Sequence, residues 1–262
     1  MSVSLRMLGT GTSQGVPAIG CDCETCTSAD DRDRRLRPSV LFSVDGINLL
    51  VDTSSDFRQQ MLRHRVPAIH AVLYTHHHFD HIGGFDDLRQ YNFIQSMPMP
   101  LYGMQETLDE LSVTFRYAFG HAKQVGGGLP VVEKHTVDGA QDFFIAGVRV
   151  VPLPALHGRM SVLGYRIGRV AYLTDVSEIP ASTLERLSGL DVLVLDALRH
   201  RAHPTHLSLQ QAIGIAENIA ASRTYFTHIA HNIKHERDSV LLPETMEFSY
   251  DGLLITSDES SP

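Results

Sequence analysis

Ala71-Val-Leu-Tyr-Thr75 runs directly into His76-His77-His78-Phe79-Asp80-His81. A short apolar run closed by polar residues reads as a buried strand ending in a loop. His76, His78, Asp80 and His81 are thereby close enough to converge on one point. Neutral imidazole and carboxylate suit zinc and other first-row divalent ions, and two ions roughly 3.5–4 Å apart can share such donors. A plain surface cluster of histidines is the alternative, and the aspartate inside the motif and the strand before it favour metal.

Working outward, the same pattern of apolar run and then polar side chain recurs. Val148–Leu153 precedes His157, Val170–Thr174 precedes Asp175, and Thr224–Thr227 precedes His228. Any one of these reads as a turn or capping residue. Taken with the 76–81 motif, they predict a metal site assembled from distant strand ends.

Between these points the chain alternates strands and helices. Leu5–Leu8 reads as a strand entering the glycine-rich turn Gly9-Thr-Gly-Thr-Ser-Gln-Gly15. Ser39–Val44 and Ile47–Val51 flank Asp45-Gly46, a hairpin signal. Helices are expected over Ser54–Arg65, Gly83–Ile94, Thr107–Phe119, 180–188 and Ser208–Ala221, the first with a serine cap. Further strands are expected near 131–137, 142–145 and 147–153, and over Val162–Ile167 and Val192–Leu195. Gly126-Gly-Gly128 reads as a mobile loop. Met246–Ser249 and Leu253–Thr256 read as a terminal hairpin around Asp251-Gly252. Hairpins mixed with strand–helix alternation predict mixed sheets with helices on their outer faces, a layered α/β sandwich in one domain of 262 residues.

Composition narrows the function. With 43% hydrophobic and 20% charged residues the chain reads as globular, and the net charge of −8 disfavours nucleic acid and anionic membrane surfaces as partners. No stretch reaches the 18 or so apolar residues of a membrane span, and the N-terminus lacks a secretory signal, so a cytoplasmic protein is expected. Self-association as a homodimer stays open.

The three cysteines all fall in Cys21-Asp-Cys23-Glu-Thr-Cys26. In a reducing compartment this spacing suits thiolates around a structural zinc better than disulfides, which would leave one thiol over. The zinc-binding loop spans about 20–37, and a fourth ligand must come from elsewhere.

The order HxHxDH, later His, Asp and final His resembles the metallo-β-lactamase superfamily over nearly the whole chain. That resemblance implies an αββα sandwich of two mixed β-sheets flanked by helices, with a dinuclear site at one edge. It implies that His76, His78 and His157 hold one divalent ion, that Asp80, His81 and His228 hold the other, that Asp175 bridges them, and that Asp52 supports the site from beneath. More narrowly, Gly9-Thr-Gly-Thr-Ser-Gln-Gly-Val-Pro17, Gly20-Cys-Asp-Cys-x-x-Cys26 and Thr227-His-Ile-Ala-His231 resemble the PhnP family, phosphodiesterases acting on phosphoribosyl 1,2-cyclic phosphate. This resemblance makes His231 the fourth ligand of the Cys21, Cys23, Cys26 zinc, and His206 in Pro204-Thr-His206-Leu-Ser208 the proton donor, with His200 and His203 as neighbouring candidates.

Its expected partner is a small-molecule phosphodiester, attacked by hydroxide generated between two Mn²⁺ or Zn²⁺ ions with Asp80 and His206 at the reacting group. A tRNA 3′-processing nuclease shares the motif order, but the acidity opposes it. A non-catalytic metal-binding or sensor protein would keep the fold and its ligands without turnover. The stretch from about 91 to 135 matches no motif and is expected to shape the pocket.

Overall fold

A computed structural model describes residues 2–119 and 128–258. Strand β1 (Ser2–Gly9) pairs antiparallel with β2 (Ser39–Val44), which turns through Asp45-Gly46 into β3 (Ile47–Val51). Asp45 and Gly46 have φ of 48° and 85°, the left-handed values that a tight two-residue hairpin turn requires. Strands β4 (Ala71–Leu73), β5 (Met99–Gly103) and β6 (Val132–Thr136) then add in parallel. A second sheet starts with an antiparallel run, β7 (Phe143–Ile145), β8 (Val148–His157), β9 (Met160–Ile167) and β10 (Val170–Leu173). It continues in parallel through β11 (Val192–Asp196), β12 (Arg223–Thr227) and β13 (Met246–Phe248). Finally β14 (Leu254–Asp258) returns to the first sheet beside β1.

Among the described residues each sheet has seven strands, ordered β14-β1-β2-β3-β4-β5-β6 and β13-β12-β11-β10-β9-β8-β7. Their inner faces form one buried cluster, in which Leu5, Phe42, Leu49 and Val51 of the first sheet join Val150, Tyr165, Tyr172 and Val194 of the second. On the outer face of the first sheet lie α1 (Phe57–His64), α2 (Phe79–Ile82), α3 (Leu88–Gln95), α4 (Gln105–Thr114) and α5 (Arg116–Phe119). The second sheet is followed by α6 (Ala181–Arg186), α7 (Leu209–Ile219) and α8 (His235–Ser239). Helix α7 shows the logic: Leu209, Ala212, Ile213 and Ala216 recur at helical spacing and are buried against Leu193, Leu195 and Phe226. Ser208 and Gln211 close its start as a reciprocal capping box. The αββα sandwich of mixed sheets expected from the sequence is the observed architecture.

Several local expectations change. Met246–Ser249 and Leu253–Thr256 do not form a hairpin; β13 pairs with β12 and β14 with β1, in opposite sheets. Asp251 between them is buried, accepting from Thr10 N (2.9 Å), Thr10 Oγ1 (2.8 Å) and Leu36 N (2.8 Å). The helix expected from Ser54 begins at Phe57, because Ser54 Oγ caps only the turn at Asp56 N (3.2 Å). The helix expected from Gly83 begins at Leu88, after a 3-10 turn over Phe85–Asp87. The helix expected over Thr107–Phe119 breaks at Phe115 into α4 and α5. Strand β5 has no local signal in the sequence, because Pro100 argues against a strand; it is fixed by pairing Val72 with Leu101 and Leu101 with Lys134. Of the triple glycine, Gly126 and Gly127 lie outside the described residues.

Register positions the site. Val51 lies beside Leu73, Leu173 beside Leu195, and Asp196 beside Thr227. The residues just past these strands therefore emerge at one edge, the carboxyl ends where α/β sheets place their ligands.

Candidate metal centre

Asp52, Asp175 and His228 each leave a strand with positive φ, of 63°, 55° and 58°. Aspartate and histidine tolerate this left-handed turn better than bulkier residues, and non-glycine residues held there cluster at functional sites. The turn aims each side chain back across the strand ends. Donor atoms of His76, His78 and His157 come within 4.8 Å of one another, as do those of Asp80, His81 and His228, and those of His76, His81 and Asp175. Asp175 Oδ2 is 3.1 Å from His81 Nε2 and its Oδ1 is 3.3 Å from His228 Nε2, and Asp175 also groups within 4.8 Å with His76 and with His157, so it lies between the two sets. His77, next in sequence, falls in none of these sets.

Hydrogen bonds fix which nitrogen each ring presents. His81 Nδ1 donates to Asp52 Oδ2 at 2.7 Å, and Asp52 also accepts from Thr75 N and Thr75 Oγ1, both at 2.8 Å. Since the Thr75 hydroxyl donates to Asp52, it accepts from His76 Nδ1 at 2.9 Å. His157 Nδ1 donates to the Thr205 carbonyl at 2.7 Å. All three rings thus turn Nε2 inward, as carboxylate and carbonyl partners do for metal-binding histidines. Asp52 is no helix cap; it holds His81.

The cluster's electrostatics point the same way. Burial pushes His76, His78 and His157 toward the neutral form that binds metal. Burial opposes charge on His81 too, yet the carboxylates of Asp175, Asp80 and Asp52 outweigh it and raise its imidazole well above the ordinary range. Burial would raise Asp175, but His228 and His81 hold it well below the usual carboxylate range. Buried carboxylates at this density demand positive charge. The imidazole nitrogens His76 Nε2, His81 Nε2 and His228 Nε2 are buried without a hydrogen-bond partner. In their neutral, metal-binding form these nitrogens would present lone pairs beside carboxylate oxygens, an arrangement that divalent cations would satisfy.

Of the three candidate proton donors, His206 is at the cluster. Its ring lies 4.6 Å from that of His157 and 4.8 Å from that of His228. His203 is next, 5.1 Å from His206, whereas His200 sits against Asp238 at 3.5 Å. A cavity of about 260 Å³ lined by Gln14, Arg199, His203, His206 and His228 opens here. Asp196 was not singled out in the sequence, although it follows the apolar run Val192–Leu195 in the same manner as Asp52 and Asp175. Its Oδ2 lies 3.4 Å from His206 Nδ1 and its Oδ1 3.6 Å from His228 Nδ1.

A second cluster joins the cysteine loop to the same segment. Sγ of Cys21, Cys23 and Cys26 lie 3.2, 3.6 and 3.5 Å from His231 Nδ1, and the four donors fall within 4.8 Å of one another. The amide of Cys26 favours the Cys23 thiolate, while burial pushes the Cys26 thiol up to about 11. The buried Arg35–Asp33 pair (2.8 Å) clamps the loop, because Arg35 also donates to Ala230 O (3.3 Å) and Ile233 O (3.0 Å). In the glycine-rich turn a Cβ on Gly9 would lie 1.9 Å from Arg37 O, so close backbone approach accounts for that glycine.

Residues 47–229 match the family described as beta-lactamase superfamily domain. The structure superposes with a TM-score of 0.92 on the crystal structure of a new diphosphatase from the PhnP family, 44% identical, covering 98% of each chain. The chain belongs to the PhnP family of this superfamily. An octanoyltransferase of Porphyromonas gingivalis is 38% identical over 97% of the chain, which spans about half (51%) of that relative. Zn²⁺-bound PqqB from Methylobacterium extorquens shares the fold (TM-score 0.79, 23% identity, covering 96% and 99% of the two chains). PhnP-family membership and the metallo-β-lactamase fold imply a hydrolase with divalent metal ions, and the donor sets above fit that chemistry. No helix among the described residues is long and apolar enough to cross a membrane.

Proposed function

We propose that this protein hydrolyses a phosphorus–oxygen bond in a small phosphodiester with the aid of two divalent ions, Mn²⁺ or Zn²⁺. The observation that carries the reading is the set of buried, unpartnered imidazole Nε2 atoms facing Asp80 and Asp175. His76, His78 and His157 would hold one ion, Asp80, His81 and His228 the other, with Asp175 between them. Such ions lower the pKa of water and neutralise charge on a phosphoryl group. Cys21, Cys23, Cys26 and His231 would hold a separate structural zinc, which suits a reducing, cytoplasmic setting.

The chain's own residues do the rest. Thr75, Asp52 and the Thr205 carbonyl orient three imidazoles, so the donors need not reorganise when substrate enters. His206, with Asp196 Oδ2 3.4 Å from its Nδ1, lines the cavity and would pass a proton to the departing oxygen. A cavity of about 260 Å³ suits a small ligand, and the net charge of −8 disfavours a long nucleic acid.

Two bond types fit: a cyclic ribose phosphate, as the sequence motifs imply, or a diphosphate, the substrate class in the name of the PhnP-family neighbour. Attack at phosphorus with proton delivery to a leaving oxygen serves either. The octanoyltransferase name belongs to a protein about twice the length of its match to this chain. A parallel hydrolysis screen of the metal-loaded protein against phosphoribosyl 1,2-cyclic phosphate, linear diesters, a diphosphate-bridged nucleotide and a tRNA precursor tests the proposal. Turnover of a small substrate without tRNA cleavage is expected. Cleavage of tRNA alone, or no turnover with metals loaded, overturns it.

A further inference from the structure

The larger cavity lies at the other end of the second sheet. It has a volume of about 760 Å³, and its wall includes Arg149, Arg166, Arg169 and Arg186 with Asp142 and Phe144. Arg149 is the second residue of β8 and His157 closes it, eight residues on, which separates cavity and cluster by about 26 Å at roughly 3.3 Å per residue. Four guanidiniums converge here in a chain whose net charge is −8.

Two of them have carboxylate partners: Arg149 pairs with Asp142, and Arg169 Nη2 lies 2.7 Å from Asp191. Arg186 reaches Asp142 only at 3.7 Å and spends its donors on the carbonyls of Pro152 and Ala140. Arg166 has no carboxylate within ion-pair reach among the described residues; Nε donates to Gly168 O (2.8 Å) and Nη1 to Ser188 O (3.0 Å) and Arg186 O, leaving Nη2. Two carboxylates against four cations leave about two positive charges in a concave wall. Burial, then repulsion from Arg149 and Arg169, lowers the Arg166 pKa, a cost that a bound anion would relieve. Phe144, 65% exposed, offers an aromatic face in the same wall.

We propose that this cavity binds a small phosphorylated anion, apart from the metal cluster. Guanidinium forks match phosphate oxygens two at a time, which distinguishes this ligand from a lone carboxylate or halide. The exposed Phe144 ring favours a nucleotide over free diphosphate, by stacking its base.

Calorimetric titration of the metal-loaded protein at fixed ionic strength, with inorganic diphosphate and separately with adenosine triphosphate, tests this. Wild type should bind each probe at a site that the Arg149→Gln/Arg169→Gln variant weakens at least tenfold, while turnover at saturating substrate is unchanged. Phe144→Ala should weaken adenosine triphosphate but not diphosphate if the ligand is a nucleotide, and neither if it is free diphosphate. Both arginines are substantially exposed, and an unchanged melting temperature verifies folding. The same stoichiometry and affinity in wild type and the double variant would overturn the proposal.

Discussion

His228 and His231 stand three residues apart on the segment leaving β12, and their rings face different clusters: His228 Nε2 lies 3.3 Å from Asp175, and His231 Nδ1 lies 3.2 Å from Cys21 Sγ. The backbone between them is pinned independently, by Ile229 N to Thr10 O and Ala230 N to Leu198 O, both 2.9 Å. The cysteine site can therefore be emptied without displacing His228.

Replacing Cys23 by Ala should remove one zinc per chain and leave the other metals bound. A structural zinc contributes directly to folding free energy, and a loss of a few kcal/mol corresponds to about 5–10 °C in melting temperature at this chain length. Elemental analysis and thermal melts measure both. Unchanged zinc content and melting temperature would contradict the cysteine site.

Asp52 to Asn keeps the size of the side chain but exchanges a carboxylate that accepts from His81 and Thr75 for an amide. His81 loses the partner that fixes its tautomer. Metal affinity or turnover should fall by about 10- to 100-fold, the usual cost of losing such support. Competition with a chromophoric chelator reports the affinity, and wild-type affinity and rate would show that the bond is dispensable.

Asp175 to Ala takes away the carboxylate that meets His81 and His228 directly and groups with His76 and His157 of the other set. At least one ion per chain should be lost, and adding chelator to wild type should abolish the same activity, restored by metal. Full stoichiometry in the variant would remove Asp175 from the ligand set.

His206 to Ala should retain every metal but lower kcat by about 10²- to 10⁴-fold on an unactivated substrate, the range expected for a lost proton donor. A substrate whose leaving group needs no proton should be spared most of this loss. Equal losses on both would point to a binding role.

His235 supplies a pH test away from the cluster. Burial, then Arg32 and Arg35, pushes its imidazole down to about 4, against 6.5 when unfolded. The fold therefore favours the neutral ring, and stability present above pH 6.5 is lost as pH falls toward 4. The ring packs near Phe248 and Tyr250, 6.1 and 6.0 Å between centroids, so Phe can take its place. Urea midpoints of His235→Phe should drop less than wild type between pH 6.5 and 4, and parallel curves would contradict the assignment.

The sequence by itself marked the His and Asp side chains that the structure brings together at the candidate metal centre, because a buried apolar run that stops at His or Asp is a local pattern. It also determined the Ser39–Val51 hairpin, whose turn residues act on their nearest neighbours. Tertiary structure decided what depends on distant pairing. Asp251-Gly252 carries a hairpin signal, yet the strands on its two sides join opposite sheets, since Thr10 and Leu36 capture Asp251 and β1 takes β14. Likewise His200, His203 and His206 are equivalent as letters. Only the packing of that loop against β8 and β11 brings His206 between His157 and His228 and sets Asp196 beneath it.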